Sequence, residues 1–474
     1  GQLSYDYAEK YFINGALRAD GSSRFAKGNR WGTFGSVGAA WNVTKEDFLR
    51  DVSWLRNLKL KASWGVTGNQ SLDDDSALGL GISAYYPYTD MYTIRNVNDK
   101  ASFVFNRKGN KDLTWEKTQN VNVGVEFNIA GIVEGEVDYF NRLTSDMLFL
   151  RSTALSQGYA SIPVNDGKMR NAGVEFNLTA HAVKTKDVSL DIRLNGSHYK
   201  NSIVELPMDG ESGNRMDFYQ YTSRFTWVKG GSIYDFYIPT YKGVDSETGY
   251  ALYKTLNAVD AAGNVLQENV TDVELYKKNH KGEQYSLVEG TPTSDWTKAA
   301  SDFVGKSATP KLTGGFGFDL RVKDFSLSTT FTYSLGGYAY DYVYARLMGD
   351  GELGTHNWHK DMENRWSKAG DVTDVPALTN GTKFGKYANA RSTRFLTKRN
   401  YLQLSNIRLA YNFPESLTSR LGGMHGAQIY ATGENLFLLS ARKGFMPGTT
   451  SDGMTSDTQY LPSSSFTVGL KFNF

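Results

Sequence analysis

Ser465-Phe466-Thr467-Val468-Gly469-Leu470-Lys471-Phe472-Asn473-Phe474 alternates without a break: Phe466, Val468, Leu470, Phe472 and Phe474 share one side, and Ser465, Thr467, Gly469, Lys471 and Asn473 the other. Successive side chains of an extended strand point to opposite faces, so this period of two describes a strand with one greasy and one polar face. The pattern recurs upstream. Val121, Val123, Val125, Phe127 and Ile129 alternate with Asn122, Gly124, Glu126 and Asn128, and Val133, Val137 and Tyr139 with Glu134, Glu136 and Asp138. Leu58, Leu60, Ala62, Trp64 and Val66 repeat it, as do Val188, Leu190, Ile192 and Leu194, then Phe316, Phe318, Leu320 and Val322, then Phe325, Leu327, Phe331 and Tyr333. No comparable 3.6-residue stripe recurs, so the fold class expected is all-β.

Composition agrees. Of 474 residues 14% are aromatic, with 48 Gly and 10 Pro, a mixture suited to strands and loops. The absence of cysteine excludes disulfides and Cys-ligated zinc or iron–sulfur centres. Lys and Arg number 52 against 50 Asp and Glu, a net charge of +2, which gives no electrostatic footprint for nucleic acid. No apolar run approaches the ~18 residues of a transmembrane helix, and Gly1-Gln2-Leu3-Ser4-Tyr5 does not read as a signal peptide.

Alternation alone fits a soluble sandwich as well as a membrane barrel; the connections separate the two. Short links at Ala8-Glu9-Lys10, Ala130-Gly131, Lys184-Thr185-Lys186 and Lys323-Asp324 alternate with long polar ones, roughly 68–113, 149–167, 246–307 and 341–399. Short turns at one end and long loops at the other are the outer-membrane pattern. A ten-residue strand rising ~3.3 Å per residue and tilted ~45° spans ~23 Å, close to the ~25 Å apolar band of such barrels. We count about fifteen strands, taking Phe225–Lys229 and Phe236–Lys242 as two that turn at Gly230-Gly231, so that short and long connections keep alternating. With an odd count the first and last strands run the same way and cannot close an all-antiparallel barrel. Unpaired backbone groups cost several kcal/mol each in lipid. Further strands are therefore expected, from sequence upstream of Gly1 or from another chain.

An ordered set of stretches resembles the SusC/RagA-type TonB-dependent transporters of the Bacteroidota outer membrane. It begins with Arg18-Ala19-Asp20-Gly21-Ser22-Ser23-Arg24-Phe25, Arg30-Trp31-Gly32 and Ala39-Ala40-Trp41-Asn42. It continues through Leu58-Lys59-Leu60-Lys61, Trp64-Gly65-Val66-Thr67-Gly68-Asn69, Leu113-Thr114-Trp115-Glu116-Lys117-Thr118 and Asn171-Ala172-Gly173-Val174-Glu175. Pro310 with Gly314-Gly315, Asn364-Arg365-Trp366, Asn406-Ile407-Arg408-Leu409-Ala410-Tyr411-Asn412-Phe413-Pro414 and Glu434-Asn435-Leu436-Phe437 follow, and Phe474 ends the set. The resemblance implies a plugged barrel of about 22 strands, of which this chain would supply about fifteen and lack about seven together with the plug. On that reading residues 1–474 form the C-terminal portion of the barrel with its long extracellular loops. The implied activity is import of large nutrients, typically oligosaccharides and in some members peptides. The implied partners are a SusD-like surface lipoprotein, the TonB complex, the remaining strands and plug, and outer-membrane lipid. No cofactor is implied, and no enzyme. A passive porin, a surface adhesin or barrel-borne enzyme, and a siderophore or vitamin receptor are the rival readings; upstream sequence separates the first, and the Asp20-to-Phe25 set disfavours the last.

Enzyme and metal motifs fail. Val304-Gly305-Lys306-Ser307 has Ala300 where a phosphate-binding loop needs glycine. His356 and His359 lack an accompanying carboxylate motif, and Asp73-Asp74-Asp75 lacks the spacing of a calcium loop. Thr44-Lys45-Glu46-Asp47 is expected to be a capped helical turn, Thr44 capping and Asp47 completing the box. Glu126, Glu134, Glu136, Asp138, Glu175, Asp191 and Arg193 belong to the wet interior face if the apolar face meets lipid. Sugar recognition combines flat rings with polar groups. The loop aromatics Tyr85, Tyr86, Tyr88, Phe218, Tyr219, Tyr221 and Trp358 are the candidate substrate contacts, against the alternative that they pack on neighbouring loops, sit at the interface or meet the lipoprotein. Tyr338, Tyr340, Tyr342 and Tyr344 read as an extended strand beyond the membrane. Leu470, Phe472 and Phe474 form a C-terminal assembly signal, the terminal aromatic alternatively serving as an interfacial anchor.

Two outcomes follow from the face assignment. Deleting Phe474 is expected to reduce outer-membrane insertion, measured by heat-modifiable migration of the membrane fraction; unimpaired insertion would remove the assembly role. Val125→Arg places a cation in lipid at a cost of about 2–4 kcal/mol near the midplane. It should therefore hinder insertion far more than Glu126→Arg, and equal effects would mean the faces are reversed.

Overall fold

The computed structural model describes residues 1–71, 86–159, 161–349, 357–379, 381, 383–418, 425–448, 450–456, 458 and 460–473. Tyr85, Phe474, His356 and Asp73-Asp74-Asp75 lie outside the described residues. Alternating segments become thirteen strands of one sheet. They are β1 (Gln2–Tyr7), β2 (Tyr11–Gly21), β3 (Trp31–Asn42), β4 (Leu55–Asn69), β5 (Glu116–Ile129), β6 (Val133–Ser145) and β7 (Lys168–Lys184). β8 (Val188–Glu205), β9 (Leu312–Val322), β10 (Phe325–Leu335), β11 (Tyr401–Asn412), β12 (Gly426–Ser440) and β13 (Ser465–Asn473) complete the sheet. Each is antiparallel to the next in chain order, a pure meander.

Register carries the alternation from strand to strand. Val468, Ala431, Leu409, Leu327, Leu320, Leu190 and Val183 are successive lateral partners across seven strands. The neighbouring row runs Thr467, Thr432, Arg408, Ser328, Asp319, Asp191 and His181 across the same seven strands. One row is hydrocarbon and the next hydrogen-bonds or carries charge, so a slip of one residue would reverse every face. The apolar row is uncovered, with Val468 74% exposed. A sandwich would lay a second sheet over it. Here the buried apolar clusters instead belong almost wholly to the connections at one rim. An uncovered apolar belt around a strand meander is the surface that lipid covers.

At the opposite rim the connections are tight. Ala8 and Glu9 join β1 to β2 with φ of 54° and 55°, and Ala130 and Gly131 join β5 to β6 with φ of 54° and 68°. Positive φ at both central residues gives the hairpin twist that matches right-handed strands. Between β3 and β4 the expected capping box does not form. Val43–Lys45 and Asp47–Leu49 are separate single 3₁₀ turns. The Thr44 hydroxyl donates to Asn42 Oδ1 at 2.7 Å, and Asp47 pairs with Arg50 at 2.7 Å. Glu46, between them, becomes a hub instead: Tyr11 Oη and Trp41 Nε1 donate to one carboxylate oxygen at 2.6 and 3.0 Å, and Lys10 Nζ to the other at 2.9 Å. With Tyr7 stacked on Tyr11, and Phe48 and Trp54 exposed nearby in the chain, this rim has the aromatic girdle of a membrane interface.

The strand count is corrected from about fifteen to thirteen. Thr226–Val228 and Asp235–Pro239, which overlap the segments taken as two barrel strands, lie outside the sheet and pair instead with Phe218–Gln220 and Ser301–Ser307. Five residues rise only ~16 Å, too little for the band. Phe236, Tyr237 and Ile238 are all buried, so both faces of that strand are covered by protein. Removing two strands preserves parity, so connection lengths could not expose the error. Thirteen is still odd: β1 pairs only with β2 and β13 only with β12, and among the described residues the sheet is open at both edges.

Hydrogen bonds from Tyr11, Lys10 and Trp41 hold the Glu46 carboxyl down to about 2, from an ordinary 4.5. A carboxylate with a depressed folded pKa adds stability that is complete above about 4.5 and lost as pH falls toward about 2. Glu46→Gln should therefore lower the heat-modification midpoint at pH 7, with the difference from the unmodified protein shrinking on acidification through that window. A midpoint difference independent of pH would contradict this.

Candidate functional site

Two regions carry polar or folded surface beyond the apolar belt, the polar face of the sheet and the folded cap on its long-loop rim. On the polar face, Lys61 Nζ lies 3.0 Å from Glu126, 3.1 Å from Glu136 and 3.6 Å from Asp138, three carboxylates brought by neighbouring strands to one ammonium. His181 sits 2.6 Å from Asp191 and 3.6 Å from Glu134, and Arg193 pairs with Asp319 at 2.9 Å. The charged residues expected on the wet face thus share it: three carboxylates crowd the one Lys61 ammonium, and Glu175 accepts from the Ser197 hydroxyl at 3.4 Å. Two open troughs follow this face. One of about 750 Å³ is bordered by Asn14, Arg18, Ser36, Asn120, Asn122 and Arg142, and one of about 610 Å³ by Asp6, Asn14, Lys59, Lys61 and Asp138. Amide, guanidinium and carboxylate groups stand beside apolar side chains such as Phe34, Trp64 and Phe12 along these openings.

The cap is built like a soluble protein. Residues 206–311 and 336–400 connect β8 to β9 and β10 to β11, and their side chains form the largest buried cluster, including Phe225, Phe236, Ile238, Tyr340, Met348 and Phe395. Helix α1 (Val273–Asn279) begins at Asp272, whose carboxylate accepts from Leu275 N, and α2 (Tyr342–Leu347) begins at Asp341, which accepts from Tyr344 N. Asp341 is fully buried and is also clasped by the Nε and Nη2 of Arg442 and by the Thr455 hydroxyl, tying the β12–β13 loop to the cap. Arg399, 6% exposed, donates to the carbonyls of Pro447, Ala308, Ser451 and Thr450, and fastens three loops through one guanidinium. Burial lowers its pKa, yet the carbonyl cage keeps the proton engaged. Neither hub has a local sequence signal for these links, because the loop partners lie 48 to 114 residues apart.

The candidate aromatics fall on three loops. Tyr86 is exposed and meets Tyr88 edge-on at 6.2 Å. Phe218 pairs in register with Val228. Tyr221 stacks on Trp227 at 4.5 Å, and Tyr219 lies 5.5 Å from Trp227 and 5.6 Å from Phe149, so these two rings help build the cap. Trp358 is exposed. The tyrosine run is not one extended strand: Tyr338–Tyr340 pairs with Leu396–Lys398, whereas Tyr342 and Tyr344 belong to α2, because the Asp341 cap turns the chain into a helix. Burial raises Tyr340 and Tyr344 to about 12, Tyr344 also donating to Asp361 at 2.8 Å. Val304, Gly305, Lys306 and Ser307 lie in a strand, and His359 caps the 3₁₀ turn Lys360–Asn364. No group of three or more metal-binding side chains occurs among the described residues. Leu470 and Phe472 are exposed on the apolar face of β13.

An uncovered apolar belt, a charged interior, tight turns at one rim and a folded cap at the other define an outer-membrane β-barrel. The chain belongs to the family described as TonB dependent receptor-like, beta-barrel, whose model matches residues 1–436. It is 27% identical over 493 residues to TonB-dependent receptor P3 of Formosa agariphila, and 28% identical over 486 residues to TonB-dependent receptor SusC of Bacteroides thetaiotaomicron. All of this chain is covered in both, but only 45% and 43% of those proteins, so it spans less than half their length. Among solved structures, that of the RagAB peptide transporter matches all of this chain and 47% of its own with a TM-score of 0.78 at 27% identity. The chain is thus of the SusC/RagA type, and the expected family, fold class and outer-membrane location hold.

Proposed function

We propose that these thirteen strands form the C-terminal portion of an active importer of large nutrients, oligosaccharides first, energised through TonB and capped by a SusD-like lipoprotein. The observation that carries this reading is the open sheet itself. Its apolar belt commits it to lipid, and its unpaired edges at β1 and β13 demand further strands before the backbone is satisfied there. Membership of the TonB-dependent receptor family supports energy coupling. The wide troughs, with amide, guanidinium and carboxylate groups along them, fit hydrated cargo. The cap, held by Asp341 and Arg399, offers a broad surface on which a lipoprotein can sit. Tyr86, Tyr88 and Trp358 are the aromatics we assign to cargo or lid contact, since their rings are not absorbed into the cap's buried clusters. Tyr85 and Phe218 remain on the same assignment, whereas Tyr219 and Tyr221 serve first as packing. Oligopeptide import is the second reading, favoured by the likeness to the RagAB peptide transporter. A porin is disfavoured by the family match.

Uptake of labelled oligosaccharides and labelled oligopeptides by cells carrying the complete transporter tests this. Oligosaccharide uptake should be abolished by a protonophore or by loss of TonB. Uptake of peptides alone would turn the assignment to the second reading, and influx indifferent to the proton-motive force would leave a passive channel.

A further inference from the structure

Three guanidinium groups gather where the two large cap loops join, each near enough to act electrostatically on the Tyr340 hydroxyl. Arg224 lies in the turn before Thr226–Val228, and Arg391 and Arg394 flank the start of the 3₁₀ turn Thr393–Phe395. The Arg224 guanidinium carbon sits 5.1 Å from the centre of the Tyr340 ring, that of Arg391 5.2 Å from Trp296, and that of Arg394 5.5 Å from Tyr241 and 5.0 Å from Phe395. Aromatic faces accept cations, but they supply no counter-charge and no lone pair. Among the described residues none of the three makes an ion pair. The Nε atoms of Arg224 and Arg391 are sealed from solvent without a hydrogen-bond partner, and only Arg394 donates, from Nη1 to the Ala388 carbonyl at 2.6 Å. Two nearby carboxylates are already engaged, Asp341 by Arg442 and Asp361 by the Tyr344 hydroxyl. Burial and the neighbouring Arg224 both lower the Arg391 pKa, so the two charges repel across a part-buried space.

An unpaired buried N–H of a charged group is costly, and removing a counter-ion from a buried cation costs more than its presence gains. A fold that assembles three such cations, two with idle donors, is complementary to an anion that none of its own side chains provides. The planar fork of arginine matches the two oxygens of a carboxylate. We propose that Arg224, Arg391 and Arg394 form a cap subsite for a carboxylate carried by the cargo. Arg224 and Arg391 supply their outer Nη groups, which make no hydrogen bond among the described residues and, unlike the Nε atoms, are not sealed from solvent, and the rings of Tyr340, Trp296 and Tyr241 hold the forks in place. The subsite rests on the import reading above and narrows its cargo to acidic molecules. A terminal carboxylate of a peptide and a uronate of a glycan present the same group.

Isothermal titration of the complete purified transporter, using matched pairs of probes, tests the subsite. The pairs are an oligopeptide acid with its C-terminal amide, and a uronate-bearing oligosaccharide with its methyl ester. At least one acid should bind about tenfold or more tightly than its neutral partner, the scale of one charge-assisted hydrogen bond. That preference should vanish in Arg224→Gln/Arg391→Gln and weaken in Arg391→Lys, which keeps the charge but not the fork. Which acid is preferred identifies the source. Heat-modifiable migration and binding of the neutral partner show that the variants are folded. Equal binding of acid and neutral partner, or an acid preference that survives the double substitution, overturns the subsite and leaves the import reading intact. Failure of all four probes to bind contradicts both.

Discussion

The thirteen-stranded sheet follows from the fact that hydrocarbon offers no hydrogen bonds. A backbone that crosses lipid must pair each N–H and C=O within the protein, and an antiparallel meander does so strand by strand while sorting side chains into two faces. The row from Val468 to Val183 and its neighbour from Thr467 to His181 are the result: one lateral step along the chain separates an oily wall from a charged interior. The same constraint explains the rims. Where β3 ends, Glu46 gathers Tyr11, Trp41 and Lys10, so the polar tips of interfacial residues are satisfied at the boundary where water becomes available. It also makes the open edges at β1 and β13 a requirement for pairing rather than a detail of topology.

Above the long-loop rim the physics changes. Burial there is ordinary hydrophobic packing, with Phe225, Phe236 and Phe395 in the core, and loops separated widely in sequence are joined by single polar hubs. Asp341 gathers a helix start, Arg442 and Thr455, and Arg399 gathers four carbonyls. Both hubs satisfy their charged groups. Arg224 and Arg391 do not, and that contrast singles them out. A cap so fastened presents a defined surface above the open sheet.

How much of this could be read from the amino acids depended on the range of the physics. Period-two alternation is local, so Leu190, Leu327 and Val468 announced their face directly, and the interior position of Glu126, Asp138 and Arg193 followed from it. The misreading of residues 225–242 has a physical cause: a short strand buried on both faces, such as Phe236-Tyr237-Ile238, carries as much apolar character as a membrane strand, and only its length and partners distinguish it. Tyr342 and Tyr344 continued an alternation that a buried aspartate, contacting a residue 101 positions away, converts into a helix. The three-arginine junction was not legible at all, because it exists only when residues 224 and 391 are brought near each other by the fold. Of the aromatic candidates, Tyr219 and Tyr221 were recognisable as loop residues but not as supports of Trp227.

The chain contains no cysteine, so single cysteines can report on each face without background. The most direct measurement is nitroxide labelling of Val468→Cys, Leu409→Cys and Leu190→Cys against Thr467→Cys, Arg408→Cys and Asp191→Cys in the complete protein in bilayers. Collision with membrane-dissolved oxygen and with a water-soluble nickel chelate is then compared at each site. The account predicts oxygen dominance at the first three sites and chelate dominance at the second three. Equal accessibility at adjacent positions, or the reverse pattern, would contradict it.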